Sequence, residues 1–401
     1  SGRGKGPFVR QMPEPRASSS SYVGVVARMR QAPGDRQTQV RGCQMLVTLS
    51  GSTVTQDSWA AAGCIEAAVD AQRQFPDDKE LQIVCTTSIS SGILFNRANG
   101  LRAGRAGGLN YTLAAYRKYM DDPRVTSLGG AIGAYFDFVD ENRAIARELG
   151  GIQLIIQNIK NYFHGKYREW GYMPVKQSLF ALSSGCWTNE DICVEAGFPE
   201  LAIRLMEEHT AEDKIAEEAL QATRALMSRS AEYRRLLSEM GLARQLAHVL
   251  KENPHDRGAI SLACLNMASL VGPADAGKGD GDAKFSAEIQ ARATEEGAVE
   301  QVLATVMSDQ ETHHKEHGMF NFNVDMAYNV HRDCFKALAN LARDNTANQA
   351  AMLQAGLPDR IAAVLASRPA DAQARWAGCE VLGSLAQSAA LPAMTTVACQ
   401  R

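Results

Sequence analysis

The stretch Gly272-Pro273-Ala274-Asp275-Ala276-Gly277-Lys278-Gly279 carries the G-x-x-x-x-G-K skeleton of a loop whose backbone amides cradle phosphate. Its last position is Gly279, where magnesium binding needs a Ser or Thr hydroxyl. A helical run from Leu262 to Ala268 precedes it in place of a buried strand, and Asp280 and Asp282 follow as charges that repel phosphate. Nucleotide binding is therefore not expected at this loop. A second cluster gathers His313, His314 and His317 with His331 and Cys334, and the i,i+4 pair His313/His317 could share one helix face and a metal ion. No carboxylate stands at a zinc-enzyme spacing from them, so the expectation is solvated histidines that titrate near neutrality, with no metal site and no cofactor. The chain has no G-x-S-x-G elbow and no His-Glu-x-x-His pair, and no catalytic residue is assigned.

Composition narrows the remaining classes. At 401 residues the chain exceeds what one compact core organises, so it must be several domains or a repeat array. Apolar residues make up 45% of it and the mean hydropathy is −0.23, values of a folded, water-exposed protein. No apolar stretch approaches the ~20 residues of a membrane span, and no signal-peptide stretch opens the sequence. A net charge of −3 provides no basic field for nucleic acid, and no small-molecule substrate is implied. The nine cysteines include no Cys-x-x-Cys pair and sit among apolar residues, as in Arg41-Gly42-Cys43-Gln44-Met45-Leu46. Odd number and scattered spacing predict reduced core thiols of an intracellular protein, cytoplasmic or part of a cytoskeletal or axonemal assembly, with the nucleus left open.

Residues 1–21 combine Gly, Pro and Ser with four basic side chains against one acidic, and read as a disordered basic arm. From Tyr22 onward apolar residues recur at three- and four-residue spacing, the mark of amphipathic helices. Glycines that end one helix and precede the next recur at 63, 107, 150, 197, 241, 297 and 356, with steps of 44, 43, 47, 44, 56 and 59 residues. A period of ~40–47 residues belongs to two- and three-helix repeats, none of which buries its apolar face without a stacked neighbour. Glycine suits each joint, since the residue after a helix C-terminus often takes the left-handed conformation. Two repeats are enlarged by insertions at 272–284 and 310–330, and the second holds the aromatics Phe320, Phe322 and Tyr328 as a candidate contact surface. Aromatic and basic residues also mix between Tyr162 and Tyr172, and Arg97, Arg102 and Arg105 cluster before Gly107.

The phrase Cys334-Phe335-Lys336-Ala337-Leu338-Ala339-Asn340-Leu341-Ala342, followed by a helix that ends in Gln354-Ala355-Gly356-Leu357-Pro358, resembles the armadillo-repeat consensus. Weaker copies are Ala181-Leu182-Ser183-Ser184, Ala225-Leu226-Met227 and Val381-Leu382-Gly383-Ser384-Leu385. The resemblance spans nearly all of 22–401 and implies an all-α, right-handed superhelical solenoid of about eight armadillo/HEAT-like repeats. It also implies that the third helix of each repeat lines a concave groove, where the family's Asn row holds an extended peptide backbone. The matching positions are Ser50, Asn96, Asp137, Ser184, Ser228, Asn266, Asn340 and Ser384, mostly not Asn. The import-receptor branch adds a row of Trp, whereas Trp59, Trp170, Trp187 and Trp376 fall at irregular repeat positions. The implied function is a non-enzymatic scaffold or adaptor for other proteins in a multi-subunit assembly, in its finer form a cytoskeletal or axonemal subunit. A transport or signalling adaptor that captures an extended motif is the alternative, and a nucleotide- or metal-dependent enzyme is the rival of another class.

Overall fold

The computed structural model describes residues 21–50, 53–126, 128–163, 172–208, 215–228, 230–272, 281–308 and 329–387. Its helices open with α1 (Tyr22–Gln31), α2 (Arg36–Leu49), α3 (Thr53–Ala61), α4 (Cys64–Gln74), α5 (Lys79–Ile93), α6 (Arg97–Arg105) and α7 (Gly108–Lys118). They continue with α8 (Pro123–Thr126), α9 (Gly129–Phe136), α10 (Asp140–Glu148), α11 (Gly151–Phe163), α12 (Met173–Gly185), α13 (Glu190–Glu195), α14 (Phe198–Glu208) and α15 (Ile215–Met227). The last are α16 (Ala231–Glu239), α17 (Leu242–Glu252), α18 (Arg257–Val271), α19 (Gly281–Glu295), α20 (Ala298–Met307), α21 (Val330–Ala342), α22 (Thr346–Gln354), α23 (Leu357–Ser367) and α24 (Ala372–Leu385). Among the described residues there is no strand, and the fold is an all-α solenoid of three-helix repeats.

Packing divides the chain into two units, the first ending at Tyr119 and the second beginning at Met120. Within the first, the long helices α2 and α5 lie side by side over α1 and α4. Within the second, the third helices form one layer, α9 against α12, then α15, α18, α21 and α24 in succession. The second helices α14, α17, α20 and α23 stack as the other layer, and the apolar side chains between the layers are almost all buried.

The polar punctuation of the sequence sets the helix ends. Gly63, Gly107, Gly150, Gly197, Gly241, Gly297 and Gly356 all have φ between 66° and 92°, and each joins the first helix of a repeat to its second. A Pro-x-Asp phrase starts four third helices: Asp35, Asp78, Asp256 and Asp371 accept backbone N–H groups at the starts of α2, α5, α18 and α24. First helices use an amide instead. Asn99, Asn142 and Asn348 are buried and donate to carbonyls seven residues back, Gly92, Tyr135 and Leu341, at 3.0, 2.8 and 2.8 Å. Gln39 and Gln82 do the same from the third helices α2 and α5, closing carbonyls left open at the preceding helix C-terminus.

The cysteines depart from expectation. Cys43 is bonded to Cys85, Cys186 to Cys193 and Cys264 to Cys334, and Cys379 is also disulfide-bonded. The reduced-thiol reading is thus corrected. The reason is stacking register. Cys43 and Cys85 stand at facing positions of α2 and α5, Cys264 and Cys334 at facing positions of α18 and α21, with Cα atoms 5.1 and 4.9 Å apart. Cys64 alone among the described cysteines is free, and burial pushes its thiol up to about 12.

Candidate partner-binding face

In the second unit the layer of third helices turns one stripe outward from each helix. On α15 the stripe is Glu217, Gln221 and Arg224, with Ser228 just past its end; on α21 it is Arg332 and Lys336, and on α24 it is Gln373, Trp376 and Glu380. Arg332 donates to Gln373 at 2.7 Å, so the stripes of α21 and α24 run beside each other. Trp376 is 58% exposed, which makes it the most open of the described tryptophans.

The predicted groove row takes a different course. Asn266 is fully buried, and its Nδ2 donates to Leu220 on α15 at 3.0 Å and to Leu262 at 2.8 Å. Asn340 is also buried, donating to Ala268 on α18 at 2.9 Å while its Oδ1 accepts from Arg343 at 3.2 Å. Both amides cross-link consecutive third helices. In this register each amide meets a backbone carbonyl of the preceding third helix. Asn96 caps α6, accepting from the N–H of Asn99 at 3.1 Å and donating to Asp57 at 2.9 Å. Ser50, Ser228 and Ser384 donate to the carbonyls of Val47, Ala225 and Glu380 within their own helix ends. Asp137 is buried and accepts 2.7 Å from Ser184, and burial raises its carboxyl above the ordinary value.

The first unit holds Arg102, which forms a two-pronged pair with Glu66 at 2.6 and 2.9 Å, an intramolecular role. Trp59 is fully buried there, so it serves the core and not a surface row. In the second unit Trp187 is partly open on the turn after α12. Phe320, Phe322, Tyr328, His313, His314, His317, Trp170, the basic arm and most of both insertions lie outside the described residues. His331 lies inside them, packed on Phe335 with ring centroids 6.0 Å apart, and burial beside Arg368 and Arg360 lowers it to about 4. Cys334, its partner in the histidine cluster of the sequence, is in a disulfide and cannot ligate as a thiolate.

One cluster was not legible from spacing. Asp333, fully buried at the start of α21, holds Arg332 through two bonds of 2.5 and 3.0 Å and accepts the hydroxyl of Ser261 from α18. Arg224 of α15 lies within electrostatic reach of both charges. The residues are 109 positions apart at their extremes in the chain, from 224 to 333, and only the stacking of three third helices gathers them.

No family model and no curated protein matches the chain. Among solved structures, one from work on a phosphorylation switch that controls the interaction between cadherin and beta-catenin aligns at 12% identity with a TM-score of 0.64, covering 94% of this chain and 66% of that one. A designed armadillo repeat protein in complex with the peptide (KR)4 aligns at 15% identity and TM-score 0.44, covering 80% and 99%. An engineered protein aligns at 15% identity and TM-score 0.47, covering 91% and 98%. At 12% identity the likeness to the beta-catenin structure is one of fold, and the fold of this chain is armadillo-repeat-like.

Proposed function

We propose that the chain is a non-enzymatic protein-interaction scaffold whose partners dock on the third-helix face of the second unit. The observation that carries this reading is the open stripe on α21 and α24, where Lys336 and Trp376 are exposed and neither makes a hydrogen bond or ion pair among the described residues. Tryptophan and cationic side chains of this kind dominate the energetics of protein interfaces. A stack of repeats offers such a face along its whole length without a preformed enclosed pocket. The cadherin interaction of the beta-catenin structure that shares this fold supports the same class of role.

In its finer form the proposal is a structural subunit of a cytoskeletal or axonemal assembly. The departure of the groove row from the peptide-holding pattern favours that form over an adaptor for one extended motif. Affinity capture with the full chain, compared with a Trp376→Ala/Lys336→Glu variant of unchanged circular dichroism, tests the face. Cytoskeletal proteins lost from the variant's eluate are the expected result, and identical eluates would remove the assignment.

A further inference from the structure

Arg224 is a cation with no anion bonded to it. It is half-buried on the outward stripe of α15, and its guanidinium makes no hydrogen bond or ion pair among the described residues. The nearest described carboxylate acting on it is Asp333, which is already held by Arg332 and by the hydroxyl of Ser261. Lys336 stands one turn beyond Arg332 on the same face of α21 and is also unpaired. Arg332 is itself engaged, by Asp333, by Gln373 and by the charge of Asp371, which leaves Arg224 and Lys336 as the two open cations of this face. Glu217 lies two turns earlier on α15, and both it and Glu218 have interactions of their own.

A guanidinium withdrawn from water is ordinarily matched by an acceptor, because the lost hydration is costly. Burial lowers Arg224 below the ordinary arginine value, the direction expected when that cost is not offset within the fold. We infer that the face around Arg224 and Lys336 receives the carboxylates of an acidic segment of a partner protein, an inference that rests on the interaction reading above. Arginine forks suit carboxylates, two per contact. A nucleic acid fits less well, since Asp333 sits at the centre of the patch and the chain's net charge of −3 opposes a polyphosphate.

The test is selection of random phage-displayed peptides on the full chain, followed by anisotropy titrations of the winners and of a labelled single-stranded oligonucleotide. Acidic winners that lose roughly tenfold or more affinity with Arg224→Met or Lys336→Gln, and weaken as salt rises, are expected. Neutral or basic winners that compete with each other and need Trp376 would overturn the acidic inference and leave the interaction reading standing. An absence of winners would sink both. Tighter binding of the oligonucleotide, lost with Arg224→Met, would reassign the patch to phosphate. The thermal midpoint of Arg224→Met is a separate readout: it should hold or rise, since an unmatched buried charge is removed. A fall of several degrees would mean that Arg224 serves Asp333 inside the fold, and the inference fails.

Discussion

Ser184 Oγ donates a 2.7 Å hydrogen bond to Asp137, linking the end of α12 to the residue that closes α9, 47 positions earlier. The other carboxylate oxygen of Asp137 is buried with no hydrogen-bond partner, so the serine carries much of what keeps this charge tolerable. Ser184→Ala should cost about 1–3 kcal/mol, the range for a hydrogen bond to a buried charged group. In an Asp137→Asn background the same change should cost less, and a double-mutant cycle by urea denaturation measures the difference. Equal costs in the two backgrounds would show that the bond does not couple the two repeats.

The half-buried histidine of α21 predicts acid sensitivity. His331 titrates at about 4 in the fold against an ordinary 6.5, because of burial and then the charges of Arg368 and Arg360. Above 6.5 both folded and unfolded chains keep it neutral, and it adds nothing to the pH dependence. As pH falls from about 6.5 to about 4 the unfolded chain takes up the proton first, so stability declines across that window and levels below it. After discounting for the part of the ring that solvent reaches, the loss is on the order of 1–2 kcal/mol. His331→Gln should flatten the thermal-midpoint profile in this window, and an unchanged slope would assign the acid loss elsewhere.

The joint glycines permit a clean separation of backbone from packing. A Cβ at Gly356 would meet nothing within 4 Å, yet its φ is +73°; a Cβ at Gly34 also meets nothing within 4 Å, and no positive φ is required there. Gly356→Ala should therefore cost about 1 kcal/mol from conformation alone. Gly34→Ala should be neutral or stabilise slightly, through the unfolded chain. Denaturant midpoints of the two variants check the contrast.

Reduction should lower stability in steps set by the loops that the disulfides close. Cys→Ser pairs at 43/85 and 264/334, separated by 42 and 70 residues, should each cost about 4 kcal/mol, and the pair at 186/193, separated by 7, about 2 kcal/mol. Mass spectrometry of alkylated protein with and without reductant counts the bonds, and equal thiol counts would refute the pairing.

The helical repeat was readable because its signals are local. The joint glycines at 63, 107, 150, 197, 241, 297 and 356 share a conformation that few other residues adopt cheaply. The Pro-x-Asp phrases at Asp35, Asp78, Asp256 and Asp371 were equally visible as helix starts, and a search for capping residues would have found them. What escaped depends on which side of a helix meets its neighbour. Asn266 and Asn340 sit in the right phrase for a groove, but their amides donate to carbonyls of α15 and α18. Cys264 and Cys334 likewise meet only because α18 and α21 lie in register. The Arg224, Ser261, Asp333 cluster draws on three helices, and no spacing rule in one chain direction predicts it.

The bond from Cys264 to Cys334 has a topological meaning beyond its strength. Both inserted segments, 272–284 and 310–330, fall between its ends, so the chain from Cys264 to Cys334 is a covalently closed ring. A single proteolytic cut anywhere between the two cysteines leaves one molecule, its halves still tethered at the α18–α21 seam. The insertions can thus lengthen, shorten or be nicked without releasing the helices on either side.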